Sequence, residues 1–157
     1  MKVLFVCLGN ICRSPTAEGV MRALAGDCME VDSAGASGWH DGNPPDARSV
    51  AAAAARGVDL SAQRSRKVVD ADFERFDLIV AMDGSNLANL RDMAPTQGRA
   101  ELVLLLDYLP DQPLRDVPDP YYGGPDGFKQ VVDMIEGGAD HWRDVLQSHM
   151  DLGGQSA

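Results

Sequence analysis

Val3-Leu4-Phe5-Val6-Cys7-Leu8-Gly9-Asn10-Ile11-Cys12-Arg13-Ser14-Pro15 opens the chain, and its reading decides the fold. Val3 to Val6 is a short, unbroken apolar run, the pattern of a strand covered on both faces. Gly9 and Asn10 interrupt it with residues that tolerate positive φ. Pro15 carries a preset φ and no N–H to waste, which places it at the first position of a helix, with Ser14 as N-cap. The stretch therefore reads as strand, tight loop, helix. The same alternation continues outward. Leu78 to Ala81 and Leu102 to Leu106 repeat the apolar run, and Met29 to Val31 offers a weaker fourth. Helix-like segments lie between them: Pro15 to Ala25, Ala47 to Arg56 with Gly57 as its stop, and Ser85 to Met93. Towards the end Phe128, Val131, Val132, Ile135, Ala139, Trp142, Val145 and Leu146 recur at helical spacing, an apolar stripe that Gly137-Gly138 is expected to bend or weaken. This order predicts a three-layer α/β domain around a short parallel sheet, with helices on both faces. One domain spans 1–157, and 153–157 reads as a frayed tail.

A chain of 157 residues with 45% hydrophobic content is large enough to bury one substantial core. The N-terminal apolar run is too short for a signal segment or a membrane span, so the expected location is cytoplasmic, with no membrane partner. Three cysteines, an odd number, do not suggest a disulfide framework. Fourteen basic against 24 acidic residues give a net charge of −10, which disfavours nucleic acid as a partner. An anionic small group would then need a locally positive site built from aimed N–H groups and a few cations.

The segment after the first strand supplies one, at the strand ends where open α/β sheets bind ligands. Cys7 and Arg13 stand six positions apart. Chance alone predicts roughly 0.2 such spacings in a chain of this composition, so the context carries the specificity. A loop curled at Gly9 and Asn10 turns successive N–H groups inward, and the positive end of the following helix faces the same point. Arg13 adds a planar fork that can grip two phosphate oxygens. A thiol in that field is favoured as the thiolate, a nucleophile able to attack phosphorus in line and form a phosphocysteine without a metal or cofactor. The bland alternative for Cys7, a buried strand-end hydrophobe, does not account for Gly, Arg, Ser and Pro all falling where the mechanism needs them. Cys12 is either a redox partner for Cys7 or a small packing residue. Cys28 reads as inert core.

A leaving alkoxide or phenoxide needs a proton, so a carboxylic acid is expected opposite the nucleophile. Asp119, in Val117-Pro118-Asp119-Pro120-Tyr121-Tyr122, sits between prolines that stiffen the backbone; the alternative is a solvated turn acid. Trp39 lies in a glycine-bracketed loop and either lines a pocket mouth or caps the core. His40 reads as exposed and not a base, and His141 and His149 as surface residues.

Together these residues resemble the low-molecular-weight protein tyrosine phosphatase family through nearly the whole chain. Cys7 to Ser14 is similar to its signature loop and Asp119-Pro120-Tyr121-Tyr122 to its acid loop. Ser33-Ala34-Gly35 through Trp39, with Pro45-Asp46-Ala47-Arg48, is similar to its variable pocket region. Asp72-Phe73 through Met82-Asp83-Gly84-Ser85-Asn86-Leu87 is similar to its helix, third strand and following turn. The resemblance implies a flavodoxin-like, phosphotyrosine phosphatase I-like sandwich with a four-stranded parallel sheet, and hydrolysis of phosphotyrosine in proteins and of small aryl phosphates. It implies Cys7 as nucleophile, Arg13 as phosphate binder, Asp119 as acid and then base, and Ser14 as assistant to the departing sulfur. Asn10 would hold the loop beside Gly9, Cys12 would be the redox partner, and Leu8, Ile11, Trp39, Tyr121 and Tyr122 would wall an aromatic ring. The expected partner is a tyrosine-phosphorylated protein, and the expected state a monomer or weak dimer. One departure is visible: Gln63 stands where many members carry a His that supports the loop Asn.

Two other activities of the fold fit less well. Thiol-linked arsenate reductases use extra cysteines near mid-chain, and none follows Cys28 here. Phosphoarginine phosphatases carry Thr where this chain has Ile11. A non-catalytic anion-binding module would need neither a thiolate at Cys7 nor an acid at Asp119.

Overall fold

The computed structural model describes residues 1–108, 116–121 and 125–155. Four strands form one parallel sheet: β1 (Lys2–Cys7), β2 (Glu30–Gly35), β3 (Leu78–Ala81) and β4 (Glu101–Leu104), in the order β2-β1-β3-β4. Among the described residues five α-helices accompany them: α1 (Arg13–Ala25), α2 (Ala47–Ala54), α3 (Asp72–Arg75), α4 (Gly84–Met93) and α5 (Pro125–Gln155). The chain passes from β1 to one side of the sheet and then returns to β3 on the other. That reversal opens a crevice beyond the C-terminal end of β1, where the first loop lies.

Alternation along β1 explains the two layers. Val3, Phe5 and Cys7 face one way and pack with Met21 of α1 and Val131 and Ile135 of α5, whereas Leu4 and Val6 face the other and meet Phe73, Phe76, Leu87 and Leu90. Both faces of β1 are therefore dry, as its unbroken apolar run requires, and each fully buried side chain of this size contributes about 1.5–3 kcal/mol. The register pairs Cys7 with Gly35, so the loop that follows β1 starts beside the end of β2. A methyl group on Gly35 would lie 2.8 Å from the Ser37 carbonyl and 3.0 Å from that of Leu8, so only glycine lets these two backbones meet.

Several expectations shift. The weak fourth strand is longer than Met29 to Val31, and β4 ends before Leu105 and Leu106, which turn inward as buried core. α5 runs to Gln155 through Gly137 and Gly138 without a break, three residues into the stretch expected to fray. Gly138 lets the helix approach the turn after β4, because a Cβ there would fall 2.5 Å from Leu105. Cys28 is exposed, not core: it ends a short 3₁₀ turn (Gly26–Cys28), and it is Met29 that goes inside. His141 is half-buried, its ring stacked on Tyr108 at 4.5 Å, while His149 is exposed as expected. Among the described residues no helix is long and apolar enough to cross a membrane.

Candidate active site

The first loop curls as expected, at one of the two residues named for it. Asn10 takes the positive φ, at 57°, and Gly9 does not. Glycine is used at position 9 because a Cβ would sit 3.0 Å from Cδ2 of His40, the neighbouring wall. α1 starts at Arg13, so Cys12 is the N-cap, without a side-chain cap bond, and Pro15 is the third helical residue. Proline still fits there, since the first four N–H groups of a helix have no intrahelical partner. Ser14 has another task than capping. Its orphan N–H points at Sγ of Cys7 at 3.4 Å, the N–H of Asn10 reaches the same sulfur at 3.3 Å, and the Ser14 hydroxyl lies 3.0 Å from it.

That hydroxyl has other neighbours. Asn10 Nδ2 donates to Ser14 Oγ at 2.8 Å and to Ser33 Oγ at 3.0 Å. Each oxygen thus accepts from Asn10; the Ser33 hydroxyl donates to Glu18 Oε1 at 2.8 Å, and the Ser14 hydroxyl has the Cys7 sulfur at 3.0 Å and, farther off, the Ala34 carbonyl at 3.5 Å as its remaining neighbours. Asn10 Oδ1 accepts the N–H of Arg66 at 3.1 Å, and Arg66 is itself anchored by Asp72 and Asp32. Every polar atom of the Asn10 side chain is thus used, which holds a backbone conformation that few residues adopt. Gln63 does not take part: its Nε2 donates to the Pro15 carbonyl at 3.0 Å, so the Asn is supported by Ser33, Ser14 and Arg66 instead. Burial raises the Glu18 carboxyl above its ordinary range, against the lowering effect of Ser33 and Arg22.

Arg13 is almost wholly buried, at 3% exposure. Its Nη1 donates to Asp83 Oδ2 and to the Val117 carbonyl at 3.0 Å, which turns Nη2 towards Asp119 Oδ2, 3.7 Å away. Burial alone would lower its pKa, but the Cys7 sulfur and Asp83 more than offset this, and the guanidinium stays charged. Asp119 lies on an exposed segment, with Oδ1 accepting the N–H of Tyr121 at 3.0 Å. Burial pushes the Cys12 thiol up to about 12, so it is neutral near pH 7. Cys7 and Cys12 are both free thiols.

These groups line one cavity of about 270 Å³, with Cys7 and Arg13 at its base and Leu8, Gly9, Ile11, Cys12 and Asp119 around it. Trp39, 78% exposed, stands at the rim with Tyr121, which settles the choice left open above: it does not cap the core. His40 lines the cavity too and is half-buried, contrary to its reading as an exposed residue. Asn10 and Ser14 sit behind the base, and Tyr122 lies outside the described residues. Sequence reasoning assigned no role to Asp83, Ser33, Glu18 or Arg66. The only signal for Asp83 was its place two residues beyond β3, at the ligand-binding edge of the sheet. Among the described residues no group of three or more His, Cys, Asp or Glu is placed to hold a metal ion.

Comparison with known proteins agrees with this architecture. Residues 2–152 match the family model described as low molecular weight phosphotyrosine protein phosphatase. The chain is 41% identical to the low molecular weight protein-tyrosine-phosphatase YfkJ of Bacillus subtilis (strain 168), over 97% of this chain and 99% of that one. It is 43% identical to the low molecular weight phosphotyrosine protein phosphatase of Homo sapiens, over 82% and 85% of the two chains. Among solved structures, a protein tyrosine phosphatase from Entamoeba histolytica with Hepes in its active site superposes with a TM-score of 0.88 at 39% identity, covering 96% of this chain and 99% of the other. With a family match over residues 2–152 and relatives more than 40% identical over most of its length, the chain belongs to the low molecular weight phosphotyrosine protein phosphatase family.

Proposed function

We propose that this chain, by family a protein-tyrosine phosphatase, hydrolyses aryl phosphate esters of proteins through a phosphocysteine on Cys7. The observation that carries the reading is the sulfur itself. Sγ of Cys7 lies at the base of the cavity and collects two backbone N–H groups, with the Ser14 hydroxyl 3.0 Å away, a setting suited to a sulfur that attacks and later departs. A phosphate seated above it places phosphorus in line with the sulfur, while Arg13 and the inward N–H groups hold the equatorial oxygens as charge redistributes. Asp119, at the other side of the cavity, gives its proton to the leaving phenoxide as the P–O bond breaks and the S–P bond forms. The same carboxylate then takes a proton from water as it attacks the phosphocysteine, and the Ser14 hydroxyl stabilises the sulfur that departs. No step calls for a metal.

The substrate class follows from depth and surface. The reacting sulfur is buried while Leu8, Trp39 and Tyr121 stand around the entrance, each more than a third exposed. A flat aryl phosphate reaches the base and lays its ring against these walls, whereas phosphoserine is too short to do both. The test is rapid quench of the Asp119→Ala protein with p-nitrophenyl phosphate, whose leaving group departs without a proton while hydrolysis of the phosphoenzyme lacks its base, followed by mass mapping. Phosphate should be found on Cys7 and be absent in Cys7→Ser, whose turnover should fall by about 10⁴-fold or more. Turnover that survives in Cys7→Ser would reject covalent catalysis.

A further inference from the structure

α2 begins at the cavity, and its first turn contains a side chain that the chemistry above does not use. The Asp46 carboxylate accepts the backbone N–H of Arg48 at 2.8 Å and caps the helix. It also receives Nε and Nη2 of the same arginine, each at 3.0 Å, so the guanidinium folds back over the start of its own helix. In that pose Nη2 also donates to the Tyr121 carbonyl at 3.0 Å, and the guanidinium carbon lies 4.6 Å from the ring centre of Phe128 and 5.5 Å from that of Tyr121. The helix start is itself moored to the phosphate loop, because the N–H of Asp46 donates to the Ile11 carbonyl at 2.8 Å. At the far end, the N–H of Tyr121 holds Oδ1 of Asp119. Ile11, Asp46, Arg48, Tyr121 and Asp119 thus form one continuous line of contacts from the phosphate loop to the acid.

We propose that Arg48 is a positioning residue for proton transfer, registering the Asp119 carboxyl against the phosphate loop by holding Tyr121. The inference rests on Asp119 being the acid. It requires the planar fork of arginine, which engages Asp46 with two atoms and still has an N–H for Tyr121; lysine offers a point charge without that geometry. On the N-terminal side Val117 is fixed by Arg13 and Met82, while among the described residues the Asp119 carboxyl itself is held by the N–H of Tyr121 and a 3.7 Å approach from Arg13, so a latch on Tyr121 sets where its proton is delivered, and small displacements there matter.

The experiment measures kcat/KM, which reports formation of the phosphoenzyme, for aryl phosphates with leaving groups from nitrophenol to phenol. The proteins are wild type, Arg48→Met, Arg48→Lys and Asp119→Asn, and Asp119→Asn combined with each Arg48 change. Arg48→Met is expected to lower kcat/KM about tenfold on phenyl phosphate and less than about twofold on p-nitrophenyl phosphate, since only the poor leaving group needs the proton. Arg48→Lys should behave like Met, and neither change should lower activity further in the Asp119→Asn background. Equal losses on every substrate, a further loss without Asp119, or no loss at all would overturn the role. Asp119→Asn alone without a steeper leaving-group dependence would remove the acid assignment, and this role with it.

Discussion

The two loops that meet at the cavity are built in opposite ways. In the loop after β1 the side chains of Asn10, Arg13 and Ser14 are buried; Asn10 and Arg13 each make two hydrogen bonds to groups from other parts of the chain, and Ser14 bonds within the loop to Asn10 and Cys7. In the segment 116–121 Asp119 is exposed, 42% for its side chain, and its carboxyl is held by one backbone N–H and a 3.7 Å approach from Arg13. The contrast is a division of labour. Binding an oxyanion and stabilising a thiolate need dipoles that do not reorganise, and buried, saturated networks provide them. A proton donor must meet leaving groups of different shape and later admit water, which an exposed and lightly tethered carboxyl allows.

The largest expected effect sharpens this difference. Cys7→Ser should abolish turnover on every aryl phosphate alike, by about 10⁴-fold or more, because the attacking group is lost whatever departs. Asp119→Ala should lose about 10²–10⁴-fold on phosphotyrosine but far less on p-nitrophenyl phosphate, whose leaving group needs little help. Steady-state kinetics on both substrates decide it. If the two variants fell in parallel on both, the loops would not be doing separate jobs.

The second effect is on stability. Asn10→Ala leaves Ser14, Ser33 and the N–H of Arg66 short of a partner and puts alanine, which tolerates the left-handed region less well than asparagine, at φ 57°. The expected loss is about 2–4 kcal/mol in urea unfolding. Asn10→Gly removes the same bonds without the conformational penalty and should recover about 1 kcal/mol of it. Asp119→Ala, by contrast, should stay within about 0.5 kcal/mol of wild type, as exposed substitutions do. An Asn10→Ala protein as stable as wild type would show that the network does not hold the loop.

Legibility followed the same division. The strand, the loop and the residues proposed to act, Cys7, Arg13 and Ser14, fall within one short stretch, so the chemistry proposed for them could be read from neighbours in sequence. What holds them could not. Asn10 meets Ser33 and Arg66, Arg13 meets Asp83 and Ser33 meets Glu18 only after the sheet has formed, and nothing local distinguishes those acids and serines from solvated ones. The mistaken roles of Gly9 and Ser14 have one cause: both were read from backbone preference, and tertiary contacts with His40 and the Cys7 sulfur took precedence. Whether Gln63 would support the loop could not be read either, because each end of its amide can bond to many groups; in the folded chain its Nε2 goes to the Pro15 carbonyl. Asp119 was legible through its prolines, but Arg48 was not, since its effect passes through a backbone carbonyl 73 residues away.

The smallest effect concerns the far end of the Asn10 network and has a definite sign. Glu18 is 5% exposed, and burial raises its pKa above the ordinary 4.5 despite the hydroxyl of Ser33 and the charge of Arg22. Between 4.5 and that raised value the folded protein holds a proton that the unfolded chain has released, so this group's contribution to stability is fully present below 4.5 and declines as pH rises through the folded value. Carboxyls such as Asp46 and Asp77 are shifted down, Asp46 mainly by Arg48 and Asp77 chiefly by Arg99 against the opposing effect of burial, and they act with the opposite sign. The clean measurement is therefore the difference in unfolding free energy between wild type and Glu18→Gln, followed from pH 4 to pH 8. Glutamine keeps an acceptor for Ser33 and does not titrate, so the difference should move against wild type as pH rises and then level off. A difference that moved the other way would mean that the Arg22 pair dominates at Glu18, and that the network ends on a stabilised charge instead of one strained by burial.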